Sequence, residues 1–314
     1  MDFVRRRPLT VFFILSVAIA LVAMWIRTTD PGALGEALGD MMAKNKPANI
    51  FTAIEYSMER PSLWHALLFP FAPTLAALIV VLAMGGGEFR QWLSRLAPWR
   101  GGVSTASGIS VWLLSLAIFM AFVGLYFIMV LSSGDHEAAT STVQRFGPTA
   151  AIAILGFAVA MLLSPGALLE EMGWRGFALP MLLRSMSPLA ASIVLGLMWA
   201  AWHLPREIMP LMSGADGVWF KFMVKQASFV PGCIAGSILA TYLFFKLGGS
   251  VWSGVLAHAF HNELSVNIIR ASEPLLDLGG GWAFRGLTII EVALAVILLL
   301  IVGPKLGQED SRAS

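Results

Sequence analysis

The chain reads as an all-α, polytopic membrane protein, with about eight transmembrane helices forming a conical bundle around a polar intramembrane cavity. Three observations predict this. Of the 314 residues, 57% are hydrophobic and only 13% charged, where a soluble domain carries about 25% charge. The mean hydropathy is +0.77. The apolar runs are long and continuous rather than alternating, which favours helices over a barrel. A bilayer offers the backbone no hydrogen-bond partners, so each run must satisfy its own amides within a helix.

Taken in order, the first span is Pro8–Ile26, preceded by Arg5-Arg6-Arg7. Ala18-Ile19-Ala20 resembles a signal cleavage site, but the apolar run is longer than a signal-peptide core, so an uncleaved helix is expected. A polar loop from Arg27 to Pro61 follows, with a short amphipathic helix near Leu34–Ala43. The second span is Leu63–Met84, where Pro70 and Pro73 predict a kink, and Gly85-Gly86-Gly87 ends it. Arg90, Arg95 and Arg100 occupy the next loop, and Ile109–Leu131 is the third span. A polar loop at 132–147 precedes apolar character from Pro148 to Leu183, which as one helix would run about 54 Å against a hydrocarbon core of about 30 Å. Ser164-Pro165-Gly166 is therefore expected to break it. The remaining spans are Pro188–Leu204, Gln226–Phe245, Val251–Ile269 and Gly286–Val302. The chain divides into N-terminal spans at 1–147, a core at 148–269 and a last helix with its tail at 270–314.

Composition also excludes some functions. The formal net charge is +2, and no basic block is long enough for nucleic acid; Arg5–Arg7 reads instead as a membrane-orienting signal. That signal and the arginines after the second span favour a cytoplasmic N-terminus, although the remaining Lys and Arg divide evenly between the two sides. The single cysteine, Cys233, can form no intrachain disulfide and reads as a small buried hydrophobe.

The chemistry is concentrated where charge interrupts the apolar sequence, at Glu170, Glu171 and Arg175. Each charge at the centre of a membrane helix costs about 2.5–3.5 kcal/mol on insertion scales, so the three are expected to face a wet, protein-lined interior. Glu171 and Arg175 have the i,i+4 spacing of a helix ion pair. Glu170 points about 100° away, and its neighbour at i+4 is Trp174, which leaves its carboxylate for general-base work on a water molecule. If the fourth and fifth spans form a hairpin near Ser185, Glu170 and His203 lie at roughly 20 and 22 Å from the turn, so at one depth. A second hairpin at Gly248-Gly249 puts His258 and Asn262 about 10 and 16 Å past its turn, on one helix face. Both carry N–H groups suited to an oxyanion. The set fits water attack on a carbonyl: Glu170 takes the proton, His203 holds the water or shares the proton, and His258 and Asn262 receive the oxyanion. A Gly/Ser nucleophile elbow and a His-Glu-x-x-His zinc motif are absent.

Three motifs carry a resemblance: Glu170-Glu171…Arg175, Trp199…His203 and His258…Asn262. In this order on membrane helices they resemble those of the CPBP family, the CAAX proteases and bacteriocin-processing enzymes also called Abi. The resemblance spans about residues 165–267. It implies an intramembrane endopeptidase of eight helices in which Glu170 and His203 are catalytic and His258 and Asn262 stabilise the oxyanion. It also implies supporting roles for Glu171 and Arg175. Trp199 stands where the family often has Phe and keeps an aromatic wall; Trp174 is the second indole in support. The family has been labelled metalloprotease but more closely resembles a metal-free glutamate design. The implied substrate is a membrane-associated peptide or prenylated protein in the lipid bilayer, with no cofactor, and the implied setting is a bacterial plasma membrane.

Two other readings use the same residues. Glu170, Glu171, His203, His258 and His261 contain enough carboxylate and imidazole for zinc, and a non-catalytic scaffold or immunity protein would keep the fold without the chemistry. A transporter lacks the repeated broken helices that such proteins show. His65 is expected at the interface, His261 on the cavity wall, and Glu291 paired with the first or third span.

Overall fold

The computed structural model describes residues 2–44, 46, 49–132, 152, 155, 156, 159, 162–263 and 282–308. The described residues are helical, with no strand among them. After a short α1 (Asp2–Arg6), α2 runs Pro8–Thr28, with proline at its first turn, where a missing N–H costs nothing. Two short helices, α3 (Ala33–Ala43) and α4 (Ile50–Glu59), fill the polar loop. The amphipathic helix expected near Leu34–Ala43 is thus present, and α4 joins it. Asn49 caps α4 by accepting from the Thr52 amide at 3.0 Å.

Helix α5 (His65–Met84) runs unbroken through Pro70 and Pro73. The arginine-bearing loop after it holds a helix, α6 (Gly86–Ser94), and the third span, α7, covers Thr105–Ser132. Most of the first part of the fourth span and the loop before it lie outside the described residues. The second part starts at Pro165 with Ser164 in non-helical geometry, as the Ser-Pro-Gly break required. Helix α8 (Pro165–Gly173) passes into one widened turn, Trp174–Ala178, and then α9 (Leu179–Leu182). The Leu179 amide donates to the Trp174 carbonyl five residues back. This extra residue per turn lies just before Pro180, which has no amide to offer.

Helix α10 (Pro188–Trp202) stops before His203, and a bend of 40° leads into Leu204–Met212, beginning with α11 (Leu204–Glu207). Pro205 accounts for the break, since it cannot donate to the preceding turn. Helix α12 spans Val218–Lys246, starting eight residues earlier than the apolar run predicted. Helix α13 (Trp252–Glu263) covers the first part of the seventh span, whose remainder at 264–269 lies outside the described residues, and α14 is Trp282–Val302. Three described helices are long and apolar enough to cross a membrane, Pro8–Thr28, Pro61–Met84 and Val218–Lys246, and the bent pair at Pro188–Met212 makes a fourth.

The core lies where α2, α5, α8 and α10 meet. Phe12 of α2 meets Trp174 edge-on at 5.4 Å between ring centroids, and Trp202 packs on Trp174 at 5.8 Å. Small residues set the helix spacing. A Cβ on Gly173 would come within 2.4 Å of the Pro73 backbone, and one on Gly196 within 2.6 Å of the Ile234 Cα. Hence α5–α8 and α10–α12 cross backbone to backbone, which small residues permit inside a membrane. These crossings fix the heights of Glu170 on α8 and His203 at the end of α10.

Candidate active site

Glu170 and Glu171 are adjacent on α8 and are 4% and 0% exposed, yet they face different surroundings. Glu171 accepts from Arg175 Nη1 at 2.7 and 3.0 Å through its two oxygens, the i,i+4 pair expected from spacing. Its Oε1 also lies 3.0 Å from His258 Nδ1, a contact that the sequence did not disclose. Arg175 Nη2 reaches Ser237 Oγ on α12 at 3.3 Å, and the guanidinium lies 5.3 Å from the Trp199 ring centroid. The network thus ties α8 to α12 and α13. Gly254 makes the approach possible, since a Cβ there would fall 1.9 Å from Glu171 Oε2.

Glu170 has two indoles. Its Oε2 accepts from Trp199 Nε1 at 2.9 Å and from Trp174 Nε1 at 3.4 Å. Trp174 was foreseen at i+4; the Trp199 bond, from α10, was not. With Oε2 held by two donors, Oε1 faces Gly166 at the start of α8. A methyl group on Gly166 would stand 3.0 Å from Asn262 Nδ2, 3.6 Å from His258 Nε2 and 3.7 Å from Glu170 Oε1. One small volume beside a glycine is therefore bordered by two nitrogens from α13 and one carboxylate oxygen from α8.

His203 closes the C-terminal end of α10. Its Nδ1 is 2.8 Å from the Trp199 carbonyl; a carbonyl only accepts, so Nδ1 carries a proton and Nε2 holds the lone pair of the neutral ring. Trp202, Phe229, Trp199 and Phe69 surround the ring at 4.6, 5.0, 5.8 and 6.0 Å. Trp199 is common ground for the site: it donates to Glu170, accepts from His203, and lies 4.8 Å from the His258 ring.

Glu170, Arg175, Trp199, His203, His258, His261 and Asn262 all line one cavity of about 890 Å³, within the range of ligand pockets. Glu171 and Trp174 stand behind this wall. The cavity extends to Arg27, His65, Arg206 and Lys221, at the end of the bundle where α2 finishes and α5 and α12 begin. His65 is buried against the cavity, with Nδ1 2.7 Å from the Ser62 carbonyl. One expectation is corrected here. Glu291 of α14 pairs with His261 of α13 at 2.6 Å, not with the first or third span. Cys233 is buried on the cavity wall, as a small hydrophobe.

Among the described residues no three His, Cys, Asp or Glu side chains converge as ligands. Glu171 is paired with Arg175, and the Oε2 of Glu170 is engaged by two N–H donors.

Residues 149–264 match the family model described as type II CAAX prenyl endopeptidase Rce1-like. The chain is also similar to the CAAX prenyl protease 2 of Methanococcus maripaludis, with 45% identity over 109 residues, which is 35% of this chain and 39% of that protein. The aligned part thus spans about two fifths of the relative's length. The family-model match covers the stretch from α8 to α13 that carries the three motifs, and over it the chain is similar to CAAX prenyl endopeptidases.

Proposed function

We propose that the protein is an intramembrane endopeptidase that cleaves a peptide bond of a prenylated or otherwise membrane-anchored substrate. The observation that supports it best is the space beside Gly166, where Glu170 Oε1, His258 Nε2 and Asn262 Nδ2 border one point. In this reading a water molecule gives its proton to Glu170 Oε1 while its oxygen attacks the scissile carbonyl carbon, and His203 Nε2 accepts a hydrogen bond from that water. The carbonyl π pair moves to oxygen, and the oxyanion is held by Asn262 Nδ2 and His258 Nε2. Collapse of the tetrahedral intermediate breaks the C–N bond, and the proton on Glu170 passes to the departing amine.

The contact between His258 and Glu171 sets a condition on this scheme. With the Nδ1 proton shared with Glu171, Nε2 donates only when the ring carries both protons. Glu171 is the counter-ion for that imidazolium. Two carboxylates, one guanidinium and one imidazolium then sum to zero charge, a tolerable state for a buried site. The prenyl specificity rests on the family match and on the name of the relative.

The test uses the purified protein in vesicles with a prenylated peptide reporter and its unprenylated twin. Glu170→Ala and His203→Ala are expected to abolish cleavage while the protein stays folded by gel filtration. Full cleavage by either variant would sink the mechanism, and equal cleavage of both peptides would sink the prenyl specificity. Chelator treatment is expected to leave cleavage unchanged; stoichiometric zinc by elemental analysis with chelator-sensitive activity would favour the metal reading instead.

A further inference from the structure

At the opposite end of the bundle from the cavity mouth, two guanidinium groups converge, and among the described residues no carboxylate is bonded to either. Arg95 Nη1 and Arg100 Nη1 each lie 3.2 Å from the same point, the position that a Cβ on Gly249 would occupy. Arg184 is near enough to act on Arg95, but it is engaged with Glu88 at 3.2 Å. Among the described residues, three guanidiniums thus share one carboxylate, that of Glu88. Like charges gathered this way repel unless an anion joins them.

The arrangement is built rather than a chance of loose side chains. The loop carrying both arginines is stitched to the turn between α12 and α13. The Arg100 amide donates to the Leu247 carbonyl at 3.1 Å, and the Val251 amide to the Arg95 carbonyl at 3.0 Å. Ser250 Oγ donates to Ala97 O at 2.5 Å and Trp252 Nε1 to Leu96 O at 2.8 Å. Gly248 and Gly249 take φ of +62° and +87°, so the turn closes tightly enough for Arg95 to reach the Gly249 carbonyl at 3.3 Å. Burial, with Arg100 and Arg184 next in effect, brings the Arg95 guanidinium down to about 10.

The surroundings are those of a bilayer surface. Leu93, Leu96 and Ile109 are 39%, 47% and 44% exposed beside the arginines. Trp112 and Trp252 pack together at 5.5 Å, with indole N–H groups on the loop carbonyls, the pattern of an aromatic belt.

We propose that Arg95 and Arg100 form a site for the phosphate of an anionic phospholipid headgroup, with the acyl chains lying against Leu93, Leu96 and Ile109. Paired guanidiniums match phosphate geometry, and basic pockets between helices at the cytoplasmic surface are the usual seat of acidic headgroups. A free phosphate would satisfy the guanidiniums but gain nothing from the exposed leucines, so the membrane lipid is the occupant that uses both features.

The experiment is native mass spectrometry of the full chain from mixed micelles, counting retained lipid. Phosphatidylglycerol is expected to be retained over phosphatidylcholine. In Arg95→Gln/Arg100→Gln that preference should fall roughly 25-fold, about fivefold for each arginine. Arg6→Gln/Arg7→Gln, which removes exposed charge at the same end, should keep it. Equal loss in the two double variants would mean a diffuse basic surface and overturn the site. Inorganic phosphate at millimolar concentration displacing the lipid completely would overturn the headgroup assignment. If the glutamine variant does not fold, Arg95→Lys/Arg100→Lys keeps the charge and loses the fork; an undiminished preference there would overturn the geometric argument.

Discussion

Two ion-pair networks in this molecule use the same functional groups in opposite surroundings. At the surface, Arg60 holds Asp30 by two bonds of 2.7 and 2.8 Å and Glu36 by one of 2.6 Å, joining the chain before α3 to the end of α4. In the interior, Arg175 holds Glu171 at 2.7 Å, and His258 shares the carboxylate. The outer geometry is as good as the inner, yet the two differ in what replaces a lost partner. Side chains of the outer network are 37%, 30% and 69% exposed, and water can take over. Those of the inner pair are 2% and 0% exposed. There a single deletion leaves an uncompensated charge in a low-dielectric interior, where bond lengths alone are a poor guide to worth.

The comparison can be broken or sharpened by substitution, and the largest effect is expected inside. Arg175→Ala should lower stability by about 3–5 kcal/mol, read as a shift in thermal unfolding in detergent. A shift as small as that from Arg60→Ala would erase the distinction. Next comes Gly254→Ala, whose methyl group would collide with Glu171 Oε2. About 1–3 kcal/mol is expected from such overpacking, and the same melting experiment reads it. Glu170→Gln separates chemistry from stability: its indole partners can still donate to the amide oxygen, so the melting point should barely move while cleavage falls about 10²–10⁴-fold. A variant that unfolds instead would assign Glu170 to the scaffold.

The smallest effects belong to the outer loop. Arg60→Ala should shift melting less than any of these. Tyr56 donates to Asp40 at 2.6 Å, and that bond, with burial next, pushes its phenol up to about 12. A phenol usually titrates near 10. The stability linked to it is therefore complete below pH 10 and is lost as the pH rises toward 12. In an absorbance titration, Asp40→Asn should bring one of the three tyrosines back toward the ordinary value; an unchanged curve would mean that the bond does not persist in solution.

How much of this was legible beforehand depends on the range of each interaction. Contacts set by helical periodicity were readable: Glu171 with Arg175, Glu170 beside Trp174, and His258 and Asn262 on one face. The expectation that Glu170 and His203 share a depth came from 1.5 Å per residue along two helices joined by a short turn, and both line one cavity. Contacts between helices were not readable, because they depend on crossing geometry and rotamers. Trp199 to Glu170, His258 to Glu171, and His261 to Glu291 all belong to this class. Gly254 carried a signal that went unused, since a side chain there would collide with the Glu171 carboxylate, and Gly166 is tight against Asn262 in the same way but to a lesser degree. The early start of α12 was hidden because Lys221, Lys225 and Gln226 look like a loop, whereas here they cover one end of a helix that projects beyond the apolar run.

The widened turn at Trp174–Ala178 carries one residue more than an α-helix would, and that residue rotates everything before it by about 100° relative to α9. The chain's tolerance to change is therefore lopsided there. Point replacements alter a contact, but loss of a single codon between 174 and 178 would swing both glutamates off their bearings without touching either of them. That short segment must therefore preserve its length as well as the side chains of Trp174 and Arg175.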